Sequence, residues 1–467
     1  MRIAIVGAGA AAVGVLDALA VSGAEAGEVT VFEPSPHLWR GRPYGPDLDS
    51  VLVNAPPAIM SIRHADFGHY ASWLGPERAE AHLDDLLGQP LVPRALYGEY
   101  LVDTAEAALA ELRERGWRTR VVAARVVAAA RSGRGCRLRT EDGHEHAADQ
   151  VMVCVGGGTP TDHYGLGGAP GFVGDPYPLA DTLDRVPGGA GVAVIGSGLT
   201  AVDAVVSLAA RGHDGRIALV SRSGMLPHVW QRPLGYRPRR LTAERVEAGA
   251  VTLDGLAALL RAELDDAGED FAHFTRELLA AGTEQPVERL RRQLAAVGDP
   301  SIGRRVLQES AHTIGPYAWR LLPEPDRERL RRHFRLATSV ASPMVPVNAA
   351  ILLRLFDSGQ LTVVSSARKI EAGFLVRADG GDLKADVVVN AVNPPPQSVP
   401  HAAEPLVTSL LADGLATMHP SGGLVPADPR LHVVGDLAGG GPFITSGIPG
   451  VAARAAGALR TALSSGS

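Results

Sequence analysis

Residues 2–6 (RIAIV) read as a strand buried inside a parallel sheet: short, β-branched and apolar on both faces. Gly7-Ala8-Gly9-Ala10-Ala11-Ala12 follows, and an Ala/Val/Leu-rich stretch then predicts a helix to about Leu19. A second predicted strand, Val29–Phe32, ends at Glu33. The same order restarts at residues 192–195 (VAVI). There Gly196-Ser197-Gly198-Leu199-Thr200-Ala201 leads into a predicted helix to about Ala210, and a strand over 216–220 ends in Ser221-Arg222-Ser223.

A second echo lies further along each half. Residues 121–155 read as strands closing with Ala148-Asp149-Gln150-Val151-Met152-Val153-Cys154-Val155-Gly156. Residues 361–393 do the same and close with Ala385-Asp386-Val387-Val388-Val389-Asn390-Ala391-Val392-Asn393. Asp149 pairs with Asp386, Val151 with Val388 and Val155 with Val392, so each unit is expected to carry a three-strand meander and a closing strand. Residues 241–340 differ: Leu253, Leu256, Leu260 and Leu264 fall at helical spacing, as do Leu290, Leu294 and Val297. This helical segment reads either as packing support for the second unit or as a substrate lid.

Composition narrows the class. The 467 residues, 46% hydrophobic and 21% charged, suit a folded globular chain of several domains. The 54 Gly and 34 Pro have no collagen-like period and point to tight turns and close cofactor approaches. A net charge of -6 gives no electrostatic reason to bind nucleic acid or an acidic membrane surface. The two cysteines, Cys136 and Cys154, form no CxxC, which removes dithiol reductases from consideration. No signal-peptide pattern or long apolar run is evident, so a cytoplasmic protein is the default expectation.

Gly7-x-Gly9-x-x-Ala12 sits between a strand and a helix, with an acid ending the next strand. Gly7 allows the tight turn, Gly9 lets backbone N–H groups approach a pyrophosphate, and Ala12 permits close helix–strand packing. Glu33 is placed to accept adenosine ribose hydroxyls. Gly196-x-Gly198-x-x-Ala201, with Thr200 at the helix start, has the same mechanics, but its second strand ends without an acid. Ser221, Arg222 and Ser223 there suit a 2′-phosphate, so NADPH is expected over NADH. Two dinucleotide sites suggest FAD at the first unit and a nicotinamide at the second. Residues 431–436 (LHVVGD), followed by Gly439-Gly440-Gly441, bring Asp436 toward a flavin ribityl chain. His312, His333 and His419 lack metal-ligand spacing, so no metal is expected. Cys154 and Trp319 read as core.

These residues, with Gly41-x-x-Tyr44-Gly45, Asn54-Ala55-Pro56, Met60-Ser61, Arg94-x-x-Tyr97-Gly98-x-Tyr100 and Ile448-Pro449, resemble the bacterial FAD/NAD(P)-binding proteins of YdhS type. That group is similar to the two-dinucleotide flavoprotein monooxygenases, including the N-hydroxylating and flavin-containing enzymes. The resemblance implies an NADPH-dependent FAD oxidoreductase, a monooxygenase that oxygenates a small nucleophilic, amine-like substrate with O2 through a C4a-(hydro)peroxyflavin. A flavin reductase that does not oxygenate and a non-catalytic FAD-binding protein are the alternatives. Pro93-Arg94-x-x-Tyr97 looks like the Ser-Arg-x-x-Phe segment of amine N-hydroxylases, which implies Arg94 near the flavin. No side chain is singled out as catalytic. The FxGxxxHxxxW pattern of Baeyer–Villiger enzymes is missing; the nearest stretch, Phe172-Val173-Gly174-Asp175-Pro176-Tyr177, has no His. After Phe334 a basic stretch is implied by the resemblance, yet Leu336-Ala337-Thr338-Ser339-Val340-Ala341-Ser342-Pro343 stands there.

The expected fold is α/β with two Rossmann-like domains. The FAD domain is discontinuous, over 1–185 and 345–467, with 345–393 alternatively part of the NADPH domain. The NADPH domain is inserted at 186–240, and a helical insertion covers 241–344.

Overall fold

A computed structural model describes the chain except residues 234–235, 237, 250, 421, 439–446 and 466–467, and except the side chains of 243, 247, 312–313, 316–317 and 320. The Gly439-Gly440-Gly441 run and the His312 side chain therefore lie outside the described residues.

Two five-stranded parallel sheets carry the fold. In the first, the spatial order is Leu431–Val433, Gln150–Val153, Arg2–Val6, Glu28–Phe32, Arg118–Val122. In the second it is Phe172–Val173, Val387–Asn390, Val192–Ile195, Ile217–Val220, Leu361–Val364. Strands buried on both faces need near-continuous apolar runs, and Gln150–Val153, Val192–Ile195, Ile217–Val220 and Val387–Asn390 are buried throughout. In each sheet the order reverses beside the first strand, so each glycine turn leaves the sheet at its switch point.

The internal repeat is borne out residue by residue. Ala4 stands opposite Val151, and Ala193 stands opposite Val388. Asp149 Oδ2 accepts the Arg2 N–H at 2.7 Å, and Asp386 Oδ2 accepts the Gly191 N–H at 2.7 Å. The same carboxylate thus caps the start of the first strand in both units. Each unit also has its antiparallel meander, Val126–Ala148 in one and Ala367–Lys384 in the other. Of the two homes expected for 345–393, the strands Leu361–Val364 and Val387–Asn390 lie in the second sheet. Phe172–Val173 pairs there as well, although 159–185 was expected with the first unit. Two-residue strands leave too little periodicity to be assigned from sequence.

The layers match in both units. Helices Ala10–Val21, Arg94–Glu114 and Ile448–Ser465 pack on one face of the first sheet through Val13, Leu16, Leu101 and Ala455. The meander and helix Glu404–Ala412 cover the other face through Leu138, Leu406 and Leu410. In the second unit, helices Leu199–Ala210 and Pro346–Asp357 take one face and the second meander takes the other.

Residues 241–344 are helical, as their leucine spacing predicts. Leu260 and Leu264 join Leu241, Val306 and Ile314 in a separate small core. Thr252 and Asp270 accept N–H groups from Gly255 and Ala272, the side-chain caps that start helices Leu253–Asp266 and Phe271–Ala280. Leu290 and Val297 instead pack into the second unit's core, anchoring the insertion. Among the described residues no helix is long and apolar enough to cross a membrane.

Candidate functional site

Both glycine turns open on one cavity of about 1850 Å³. Ordinary small-molecule pockets reach only ~1000 Å³, so this volume suits two large ligands rather than one.

The first wall begins at Gly7. Its φ is +99°, and a Cβ there would lie 2.4 Å from the Cys154 carbonyl oxygen, so only glycine turns the chain this sharply. Gly9 faces Gly41 across the loop, with room for a Cβ only 3.5 Å from Gly41 Cα. Helix Ala10–Val21 starts at Gly9 without a side-chain cap, unlike helices Leu253–Asp266 and Phe271–Ala280. Its first N–H groups and its dipole are left for an anion in the cavity. Ala10 and Ala11 line that cavity, while Ala12 is fully buried and lets the helix approach the sheet. Glu33, at the rim, accepts the N–H groups of Ala8 at 3.0 Å and Ser35 at 2.9 Å. These fix its carboxylate while each oxygen keeps a lone pair for a hydroxyl donor. Asp436 lines the cavity after Gly435, whose φ is +94°. A Cβ at Gly157 would lie 2.5 Å from Asp436 Oδ2, so the missing side chain admits the carboxylate to the cavity floor.

The loop Gly41–Gly45 also lines the cavity, and helix Arg94–Glu114 supports it from behind. The Tyr44 and Tyr97 rings pack at 4.7 Å, and the Tyr97 hydroxyl donates to the Met60 carbonyl at 2.7 Å. Burial pushes the Tyr44 hydroxyl up to about 12, so it stays a neutral donor. A Cβ at Gly98 would sit 2.1 Å from the Tyr44 carbonyl oxygen. These contacts give the Tyr97-Gly98-x-Tyr100 segment a physical role.

The second wall repeats the first. Gly196 has φ +116°, and its Cβ would meet the Ala391 carbonyl oxygen at 2.9 Å. Gly198 opens onto free space, and helix Leu199–Ala210 again lacks a side-chain cap. The Thr200 hydroxyl donates to Asn393 Oδ1 at 2.9 Å, tying the helix start to the closing strand. Arg222 and Ser223 are exposed on the cavity rim. Ser221 is drawn into the turn, where its hydroxyl oxygen accepts the Gly224 N–H at 2.9 Å.

A third wall comes from the insertion. Phe334, Arg335, Thr338, Ser339 and Ser342, on helix Phe334–Ala341 and just after it, line the same cavity. Ser339 holds this helix to the second unit: its carbonyl accepts the His228 N–H at 3.0 Å, and its hydroxyl bonds His228 Nδ1 at 2.8 Å. Burial, with Arg289 nearby, keeps the His228 imidazole neutral by pushing its pKa well below the ordinary value.

Arg94 is a correction. It does not line the cavity. Nη2 pairs with Asp203 Oδ2 at 2.6 Å, Nη1 donates to the Tyr177 hydroxyl at 3.1 Å, and Nε donates to the Leu52 carbonyl at 3.0 Å. Nη1 and Nη2 join the two units while Nε holds the Leu52 loop of its own unit, an arrangement no local motif encodes. Burial pushes the Asp203 carboxyl up, and the Arg94 charge opposes that shift.

Sequence reasoning also left Gly157 and Asn393 out of the site, while the 334–342 wall falls in the segment that it read as either packing support or a substrate lid. Gly157 and Asn393 follow the two closing strands at nearly equivalent places, a signal that the internal repeat already contained.

Residues 4–158 match the protein family described as FAD-NAD(P)-binding. FAD with a nicotinamide dinucleotide is therefore the cofactor class of this fold, as the two glycine turns lead one to expect. None of the curated protein sequences matches the chain. Among solved structures, an L-lysine 6-monooxygenase from Pseudomonas syringae superposes with a TM-score of 0.59 at 15% identity, over 98% of this chain and 99% of that one. An ornithine N-hydroxylase from Kutzneria sp. 744 gives 0.56 at 15% identity, over 100% and 99%. A flavin monooxygenase from Stenotrophomonas maltophilia gives 0.53 at 14% identity, over 100% and 99%. Identities of 14–15% over nearly the full length of each chain show a shared fold.

Proposed function

We propose that this chain is an NADPH-dependent FAD oxidoreductase, and specifically a single-component monooxygenase acting on a small nucleophilic, amine-like substrate. The observation that carries the reading is that both uncapped glycine turns open on one cavity, which a hydride donor and its acceptor must share. Bound FAD would supply hydride acceptance and, once reduced, reactivity toward O2.

The residues divide the binding work. The Gly7–Ala11 turn holds the FAD pyrophosphate, Glu33 the adenosine ribose, and Asp436 the ribityl side. The Gly196–Thr200 turn holds the coenzyme pyrophosphate, and Arg222 with Ser223 takes the 2′-phosphate. Tyr44 and Tyr177, both lining the cavity, shield it from water.

Oxygenation draws support from the fold shared with the lysine and ornithine hydroxylases, the latter solved with reduced FAD, NADP+ and L-ornithine. Thiol chemistry is disfavoured because both cysteines are buried, and burial pushes the Cys154 thiol up to about 12. The test is anaerobic flavin reduction by NADPH, then air exposure with candidate amines. Hydroxylated product supports the monooxygenase. Hydrogen peroxide alone, with every amine, identifies a reductase instead.

A further inference from the structure

Arg94 and Asp203 lie between the units and do not line the cavity. Arg94 opens helix Arg94–Glu114 of the flavin unit. Asp203 sits in helix Leu199–Ala210, which begins at the coenzyme turn, and its side chain is 0% exposed. Tyr177 completes the cluster, its hydroxyl donating to Asp203 Oδ2 at 2.5 Å while one side of the residue lines the cavity.

Other contacts across the same seam are equally specific. Asp47 accepts the Leu179 and Ala180 N–H groups at 3.0 and 2.8 Å, capping a helix of the second unit. The Ser50 and Ser207 hydroxyls bond at 2.8 Å. Trp230 Nε1 donates to the Asn54 carbonyl at 2.7 Å.

A rotation of one unit on the other would strip Asp203 of its cation in a site closed to water. An uncompensated buried carboxylate is among the costliest states a folded chain can adopt. A swinging interface built for turnover would place exposed, interchangeable contacts there, as transient interfaces do. This seam instead puts a fully buried carboxylate on the helix that presents the coenzyme turn.

We propose that Arg94 is a positioning residue for hydride transfer: through Asp203 and Tyr177 it holds the coenzyme helix in one fixed placement, and the two units work without rotating. This rests on the reading that the nicotinamide coenzyme reduces FAD in the shared cavity.

Two experiments test it. The first uses Ser50→Cys with Ser207→Cys, whose hydroxyls are in contact, in a chain whose native cysteines are both buried. Mild oxidation of the cofactor-free protein should pair the new thiols, as read by thiol titration and mass. The oxidised protein loaded with FAD should be reduced by NADPH within about twofold of the wild-type rate. Thiols that stay apart would overturn the fixed arrangement. So would a pairing that slows reduction more than tenfold and is relieved by a thiol reductant.

The second compares Arg94→Met with Arg94→Lys. The Met variant should keep its flavin and bind NADPH within about threefold of wild type. Its limiting rate of flavin reduction should nonetheless fall at least tenfold, and Lys should restore most of it. A Met variant that loses flavin or stability, with an unchanged rate per bound flavin, would show a merely structural role. If wild type itself is not reduced by NADPH or NADH, the functional reading fails, and thiol pairing still decides the fixed placement on its own.

Discussion

Gly98 lies outside both glycine motifs, yet a Cβ there would come within 2.1 Å of the Tyr44 backbone oxygen. A carbonyl in a packed loop cannot step aside cheaply. Gly98→Ala should cost about 3 kcal/mol, the upper range for overpacking, and should lower flavin content by displacing the Gly41–Gly45 loop. Denaturant unfolding and flavin absorbance check both effects. Arg222 acts at the opposite wall. On the proposed reading, a contact from Arg222 to a 2′-phosphate contributes about 1.5–3 kcal/mol, so Arg222→Ala should lose roughly 10- to 100-fold in kcat/KM for NADPH. For NADH the change should stay below about threefold. Anaerobic flavin reduction with each coenzyme makes the comparison, and equal losses would show Arg222 to be structural. Asp428 carries a pH dependence. Hydrogen bonds from Arg430, with Arg131 beside it, hold its carboxyl well below the usual range. The folded state therefore prefers the charged form. Its stabilisation is fully present above the unfolded pKa of about 3.9 and is lost as pH falls through the lower folded value. Asp428→Asn should cost about 1.5–3 kcal/mol at pH 7, and the gap to wild type should narrow steadily below about pH 4.

At the scale of elements, the insertion has two roles that its sequence pattern cannot separate. Helix Pro286–Ala295 packs Leu290 against the second unit, while helix Phe334–Ala341 forms a cavity wall. Thr338 is exposed on that wall, so its side chain can grow without disturbing the core. Thr338→Trp should leave flavin content and unfolding temperature unchanged and raise KM for coenzyme or substrate by about tenfold or more. Unchanged kinetics would place the working part of the cavity away from the insertion. The departure at 336–343 from the basic stretch implied by family resemblance falls on this wall. There the hydroxyls of Thr338, Ser339 and Ser342 stand alongside the single cation of Arg335.

For the molecule as a whole, a seam closed by a buried ion pair predicts that the units unfold together. Calorimetry of the cofactor-free protein should show one transition, and FAD at a hundred times its Kd should add about 2.7 kcal/mol of stability. Two separate transitions would mean that the seam contributes little.

What the sequence determined by itself was the pair of strand–turn–helix–strand units, their shared meander and closing strand, and the helical nature of 241–344. Each is written in short-range periodicity or in glycines that a tight turn requires, and such signals need no knowledge of distant residues. Tertiary structure decided the rest. Leu361–Val364 and Phe172–Val173 took places in the second sheet because pairing depends on neighbours far along the chain. Arg94, whose resemblance to an N-hydroxylase segment pointed to the flavin, was drawn to Asp203, since a buried carboxylate needs a cation wherever the fold can supply one. That the two turns share one cavity follows from how two separately encoded sheets pack against each other, and no stretch of sequence contains that arrangement.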